Sequence, residues 1–375
     1  MSDDTETGTP GSGRPRIGGL SAYTQEVPYQ REQVPALSER LEEDNRHPVM
    51  IFGSSKSGKS TMIMSFINAL EKSGRDGSVG VSATFGRSFY AKRDERTETL
   101  MKAASNFFDT AAHNFILGRQ ALIATQDLPY FIPIDLKIKG SESDAVKIAL
   151  LDSKGELYEP NNPTNVSAGA PLYREFSNDL IEIMRNYSRG ISLICLAPYS
   201  LGEADLHDTA NSDAGLFAAL TRYAEARPEQ NRYDDSLLFL LGKWDQAANP
   251  MRDDRFNRVD GQSIVNILAD RYSRSWDNFR TLPIGANDWP RRCFMQYSSC
   301  SFVDGKPRIP DHLVDAYLRY PRTVLNWIYG NARRFELKEG DRTDHAQLVL
   351  FPDVVPRDVR METVSEWILR AIVRK

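Results

Sequence analysis

GSSKSGKS, residues 53–60, decides the fold. It fits G-x-x-x-x-G-K-[ST] at every position, a pattern that a chain of this length meets by chance roughly once in a hundred. The residue types follow from the chemistry of a triphosphate. Gly53 and Gly58 let the backbone curl with its N–H groups turned inward. Ser54, Ser55, Lys56, Ser57 and Thr61 complete that backbone cradle. Lys59 reaches the β- and γ-phosphates, and Ser60 offers a hydroxyl to Mg²⁺. The motif follows an apolar run, PVMIFG (48–53), and opens a helical pattern over 58–72. Met62, Ile63, Phe66, Ile67 and Leu70 form the apolar side of that helix.

The surrounding sequence alternates strand and helix. Strand-like runs lie at 48–53, 78–84, 130–138, 145–152, 191–197, 236–242 and 292–298. Helical periodicity lies at 58–72, 95–123, 172–187, 213–226, 261–273 and 311–330. Such alternation predicts an α/β fold of three layers: a mostly parallel sheet with helices on both faces. The runs YFIPIDLKI (130–138) and AVKIALLD (145–152) flank a short polar turn, KGSESD. They are expected to form one antiparallel edge hairpin. Residues 1–20 are rich in Gly, Pro, Ser, Thr and Asp and read as a disordered tail. Residues 21–46 form a lead-in segment, with a short helix in 35–45. The main domain spans 47–335, with an insertion at about 78–123. Residues 336–375 form a C-terminal extension whose amphipathic helix presents Val364, Trp367, Ile368, Ala371 and Ile372 on one face and packs on the main domain.

Composition narrows the function. The chain has 375 residues and a net charge of −4, which argues against nucleic acid or an anionic membrane as partner. No apolar stretch approaches the ~18 residues of a membrane-spanning helix. The start has no apolar core, so it is not a signal peptide. Three cysteines, Cys195, Cys293 and Cys300, sit in or beside apolar runs and read as buried free thiols of a cytoplasmic protein. The five histidines show no metal-ligand spacing.

Three further motifs follow strand-like runs. DSKGE (152–156) ends the run IALLD. Asp152 is placed to hold Mg²⁺ through water, and Gly155 can bring its N–H to the γ-phosphate. The same residues also suit an ordinary strand-to-turn exit. GKWD (242–245) follows SLLFLL. A carboxylate at Asp245 can accept hydrogen bonds from guanine N1–H and its amino group, a pair adenine lacks. The stem of Lys243 can lie along the base. Ser298-Ser299-Cys300 follows RCFMQY, where a backbone N–H could meet guanine O6.

The order of these motifs resembles the P-loop GTPases of the translation-factor-like superclass, which includes Ras and Gα. The resemblance covers roughly residues 47–330. It implies that Lys59 and Ser60 serve phosphate and Mg²⁺, that Asp152 serves Mg²⁺, and that Lys243, Asp245 and the backbone of Ser299 serve guanine. It also implies a switch threonine before the run YFIPIDLKI, for which Thr125 is the candidate; a helix-end Thr is the plainer reading. Arg119 could act as an arginine finger in cis, but a solvated helix face is its plainer reading, and an arginine supplied by a partner is the favoured source of that charge. The extended region before Asp152 is similar to bacterial GTPases of conflict or signalling operons, including the double-GTPase type.

Two departures stand out. Gly242 replaces the family's Asn or Thr, a loss of about 1 kcal/mol in base affinity if one net hydrogen bond is missing. Glu156 occupies the position of the family's water-orienting Gln, and its charge opposes the phosphates. The expected function is a GTP-binding switch with slow Mg²⁺-dependent hydrolysis, stimulated by a protein partner or by homodimerisation. The alternatives are an ATP-dependent kinase or STAND-like ATPase, and a nucleotide-stabilised scaffold without turnover. Ser153 stands where an ATP-driven motor more often has an acid, which counts against the first alternative.

Overall fold

A computed structural model describes residues 36–54, 57–75, 81–90, 95–114, 131–138, 145–152, 178–199, 204–248, 256, 261–284, 291–303, 306–334 and 350–351. Ser55, Lys56, Arg119, Thr125, Gly155 and Glu156 lie outside these, as do the tail 1–20, most of the lead-in segment and the helix at 364–372.

Seven strands form one sheet: β1 (Arg46–Phe52), β2 (Val81–Phe85), β3 (Phe131–Ile138), β4 (Val146–Asp152), β5 (Ser192–Pro198), β6 (Ser236–Gly242) and β7 (Arg292–Gln296). Their order is β2-β3-β4-β1-β5-β6-β7. β4, β1, β5, β6 and β7 run parallel. The expected hairpin exists, with β3 antiparallel to β4. β2, from the insertion, pairs antiparallel outside β3 and so forms the sheet's edge. Every residue of β1 and β6 is buried, as covering on both faces requires. Edge strand β2 instead alternates, burying Val81 and Ala83 while Thr84 is exposed.

The helices follow the sequence periodicity. They are α1 (Leu37–Glu43), α2 (Lys59–Arg75), α3 (Glu95–Asn114), α4 (Asn178–Asn186), α5 (Ala204–Ala226), α6 (Glu229–Arg232), α7 (Trp244–Ala247), α8 (Gly261–Arg271), α9 (Ser273–Thr281) and α10 (Val314–Arg333). α2, α3 and α10 make one packed group; α1, α4, α5, α8 and α9 make another. The pattern at 261–273 forms α8, and a second helix, α9, follows it after Tyr272; Asp213 caps this second helix. Its carboxylate accepts the Ser275 N–H (2.9 Å) and the Ser275 hydroxyl (2.6 Å). A small hairpin, β8 (Ser301–Val303) and β9 (Lys306–Arg308), precedes α10.

α10 is buried along most of its length. Asn326, fully buried, accepts the N–H groups of Leu350 (2.9 Å) and Phe351 (2.7 Å) and donates to the Phe351 carbonyl (2.9 Å). The amide thus mimics a neighbouring peptide, fixing these two residues of the C-terminal extension onto the domain.

Two buried polar groups brace the amino edge of the sheet. Arg227 and Asp235 form a bidentate pair, each contact 2.9 Å, between the end of α5 and the start of β6. His47 in β1 lies against Ser192 at the start of β5, its Nε2 2.8 Å from the hydroxyl. Burial pushes the imidazole pKa down to about 3. In the unfolded chain the same group takes up a proton near the ordinary value of ~6.5. Between those values the unfolded state binds more protons, so stability falls as pH falls. The slope from this group is about 1.4 kcal/mol per pH unit. Urea titrations between pH 6.5 and pH 4 are expected to show that loss, and His47→Gln to flatten it. An unchanged slope in the variant would assign the acid sensitivity elsewhere.

Candidate functional site

The carboxyl ends of the five parallel strands share one edge, and β4 and β5 lie on opposite sides of β1. The chain therefore reverses its direction of travel across the sheet at β1, where open α/β sheets form their ligand crevice. The loop after β1 is the phosphate motif. Gly58 has φ 99°, a conformation costly for any side chain, and Met62 N–H bonds back to its carbonyl at 2.8 Å. Gly53 is needed for a second reason: a Cβ there would sit 2.6 Å from Ser57 Oγ and 3.0 Å from the Leu196 carbonyl.

Lys59 starts α2 and is buried. Its ammonium folds back onto the carbonyls of Gly53 (2.7 Å) and Ser54 (2.9 Å). The charge is thus already centred in its own loop. Ser57 Oγ is buried with no hydrogen-bond partner among the described residues, a costly state for a hydroxyl. The first turn of α2 contains no acidic residue, so its positive end is not neutralised locally. Ser60 is the second residue of α2, and Thr61 is buried behind it. Ser54 is tied to α5 by a hydroxyl pair with Ser212 at 2.7 Å. Asp152 ends β4 level with Ile51 of β1, two residues before the loop begins.

The loops carrying Lys243, Asp245 and Ser299 leave the next strands of the same edge. β6 ends at Gly242, opposite Pro198 of β5. Lys243 then takes a left-handed conformation, φ 55° and ψ 38°, and turns the chain into α7. A non-glycine residue at such a φ marks a site where the surroundings impose the backbone. Trp244 is buried and locks the turn through its N–H to the Tyr297 carbonyl (3.1 Å). Asp245 follows, half-buried. Ser298, in the loop after β7, donates its hydroxyl to Asp245 Oδ1 at 2.6 Å. Burial holds this carboxyl above the ordinary range; Ser298, the residue's own N–H and Lys243 pull the other way.

The structure therefore brings Gly53, Ser54, Ser57, Gly58, Lys59, Ser60 and Thr61 together in one loop and helix start. Asp152 joins them from β4, and Lys243, Asp245 and Ser299 stand on the loops of β6 and β7. The role of Ser298 was not legible in sequence. Two serines follow the strand, and only the register of β6 with β7, Leu241 opposite Gln296, turns the first of them onto Asp245. Gly242 has a local reason. A Cβ there would come 2.9 Å from Leu196 Cδ1, so a leucine of β5 fills the space beside it.

Among the described residues no cluster of three or more His, Cys, Asp or Glu is arranged to hold a metal. All three cysteines are free and buried. No described helix is long and apolar enough to cross a membrane. Compared with known proteins, the chain matches no protein-family model and no curated protein.

Proposed function

We propose that the chain is a guanine-nucleotide switch of the P-loop GTPase type. It binds GTP with Mg²⁺, hydrolyses it slowly to GDP and phosphate, and signals the difference to a protein partner. The observation that carries this reading is Asp245, a carboxylate fixed by Ser298 at the sheet edge that also carries Lys59 and its loop. Guanine offers two adjacent donors to a carboxylate, and adenine does not.

The cradle suits an anion on three counts: the positive φ of Gly58, an ammonium drawn into the loop, and the unpartnered hydroxyl of Ser57. On phosphate entry Lys59 exchanges the carbonyls of Gly53 and Ser54 for phosphate oxygens. Ser60 and Asp152, hard oxygen donors, would hold Mg²⁺. Bound there, the ion would supply neutralisation of the phosphate charge. Thr125, Gly155 and Glu156 keep the roles that the resemblance implies. Slow turnover follows from the carboxylate of Glu156, and an activating partner or a second copy of the chain would raise it. A cytoplasmic setting is part of the proposal, supported by three free buried thiols.

The test is thermal unfolding with GDP–Mg²⁺ against ADP–Mg²⁺. A ligand at a hundred times its Kd adds about 2.7 kcal/mol of stability. GDP is expected to raise the midpoint, ADP to leave it unchanged, and Lys59→Ala to abolish the rise. A preference for ADP would instead identify an ATP-dependent enzyme. Stabilisation by GDP with no phosphate release from GTP in any assembly would identify a scaffold.

A further inference from the structure

We propose that Tyr297 is a positioning residue that couples the base half of the site to the phosphate half. This rests on the guanine-nucleotide reading above. Tyr297 follows β7 and is buried, 2% exposed. Its hydroxyl lies 2.5 Å from Ser65 Oγ on α2. Ser65 gives its only proton to the Met62 carbonyl at 2.7 Å, so the phenol must donate to Ser65.

The result is a line of hydroxyls from Tyr297 through Ser65 to the first turns of α2, the helix that Lys59 begins. The same residue also grips the base loop through its backbone. Its N–H bonds to the Leu241 carbonyl (2.8 Å), and its carbonyl accepts the Trp244 N–H (3.1 Å). Those two bonds bracket Gly242 and Lys243. Its ring meets Phe66 of α2 edge to face, centroids 6.2 Å apart. Gly242 has no side chain with which to tie its loop to the phosphate loop. Tyr297 makes a connection of that kind from the neighbouring strand, reaching α2 instead. A ligand that fills only the phosphate cradle does not need this connection; a ligand that fills both halves does.

Tyr297→Phe keeps the ring packing and leaves Ser65 bonded to Met62, so the fold should survive. In the full chain, GDP affinity is expected to fall about five- to tenfold, the scale of one hydrogen bond. Affinity for inorganic pyrophosphate, the phosphate-only probe, should stay within about twofold of wild type. Ser65→Ala should lower the ratio of GDP to pyrophosphate affinity in the same direction. The double variant should be no weaker than Tyr297→Phe alone, as expected for partners in one bond. Unchanged GDP affinity in Tyr297→Phe overturns the inference while leaving guanine binding intact. Equal loss for GDP and pyrophosphate also overturns it, because that is the mark of a structural role. A wild-type chain that binds pyrophosphate but not GDP, or neither, removes the guanine reading and this inference together.

Discussion

Asp245→Asn is expected to lower GDP affinity roughly a hundredfold and to make xanthosine diphosphate the better ligand. In the proposed complex Asp245 accepts from guanine as a carboxylate, and bonds to charged groups contribute about 1.5–3 kcal/mol each. An amide keeps one acceptor and presents a donor in place of the other. Against guanine that donor meets the base's own amino group; against xanthine it meets a carbonyl. The substitution is also mild for the fold, since an Asn oxygen can still accept the Ser298 hydroxyl that now lies 2.6 Å from Asp245. Competition of GDP and xanthosine diphosphate against a fluorescent nucleotide reads the result directly. Unchanged GDP binding in the variant would mean that the loop after β6 does not read the base, and the guanine assignment would fall.

The second large effect concerns stability and lies at the opposite edge of the sheet. Arg227→Met is expected to cost about 3–5 kcal/mol, enough to shift a urea midpoint by a large fraction of its value. The guanidinium uses all five of its N–H donors. It grips both oxygens of Asp235 and donates to the carbonyls of Met184, Tyr187 and Arg189. Asp235 is equally occupied, accepting from Arg227, the Tyr223 hydroxyl and the Ile191 N–H. Burial pushes its carboxyl pKa up, and Arg227 is the largest opposing influence. Without the arginine, that carboxyl must either take up a proton or remain as an uncompensated buried charge. Arg227→Met/Asp235→Leu should recover part of the loss, because the charge is gone, but three carbonyls would still lack donors. A single variant that unfolds with wild type would show that the pair adds nothing net.

How far the sequence anticipates this molecule depends on whether the cause is local. The central strands are legible because a strand covered on both faces must be a short, nearly continuous apolar run. GSSKSGKS and GKWD are legible because their residue types are dictated by the groups they would meet. Pairing partners are another matter. Nothing in 78–84 says that this run lies outside 130–138, since that is settled by contacts between segments far apart in the chain. Arg227 reads in sequence as one more helix-end cation; only the fold brings Asp235 and three carbonyls to it. Gly242 reads as a missing tie until Leu196 is seen beside it. Ser298 and Ser299 are likewise equivalent on paper, and the strand register separates them.

The clasp of Asn326 on residues 350–351 bears on how the protein is made. Translation produces α10 before the two peptides that complete its hydrogen bonding. A chain cut between Arg333 and Leu350 would keep α10 but leave the buried Asn326 amide without these partners. α10 therefore completes its hydrogen bonding only once residues 350–351 have been made.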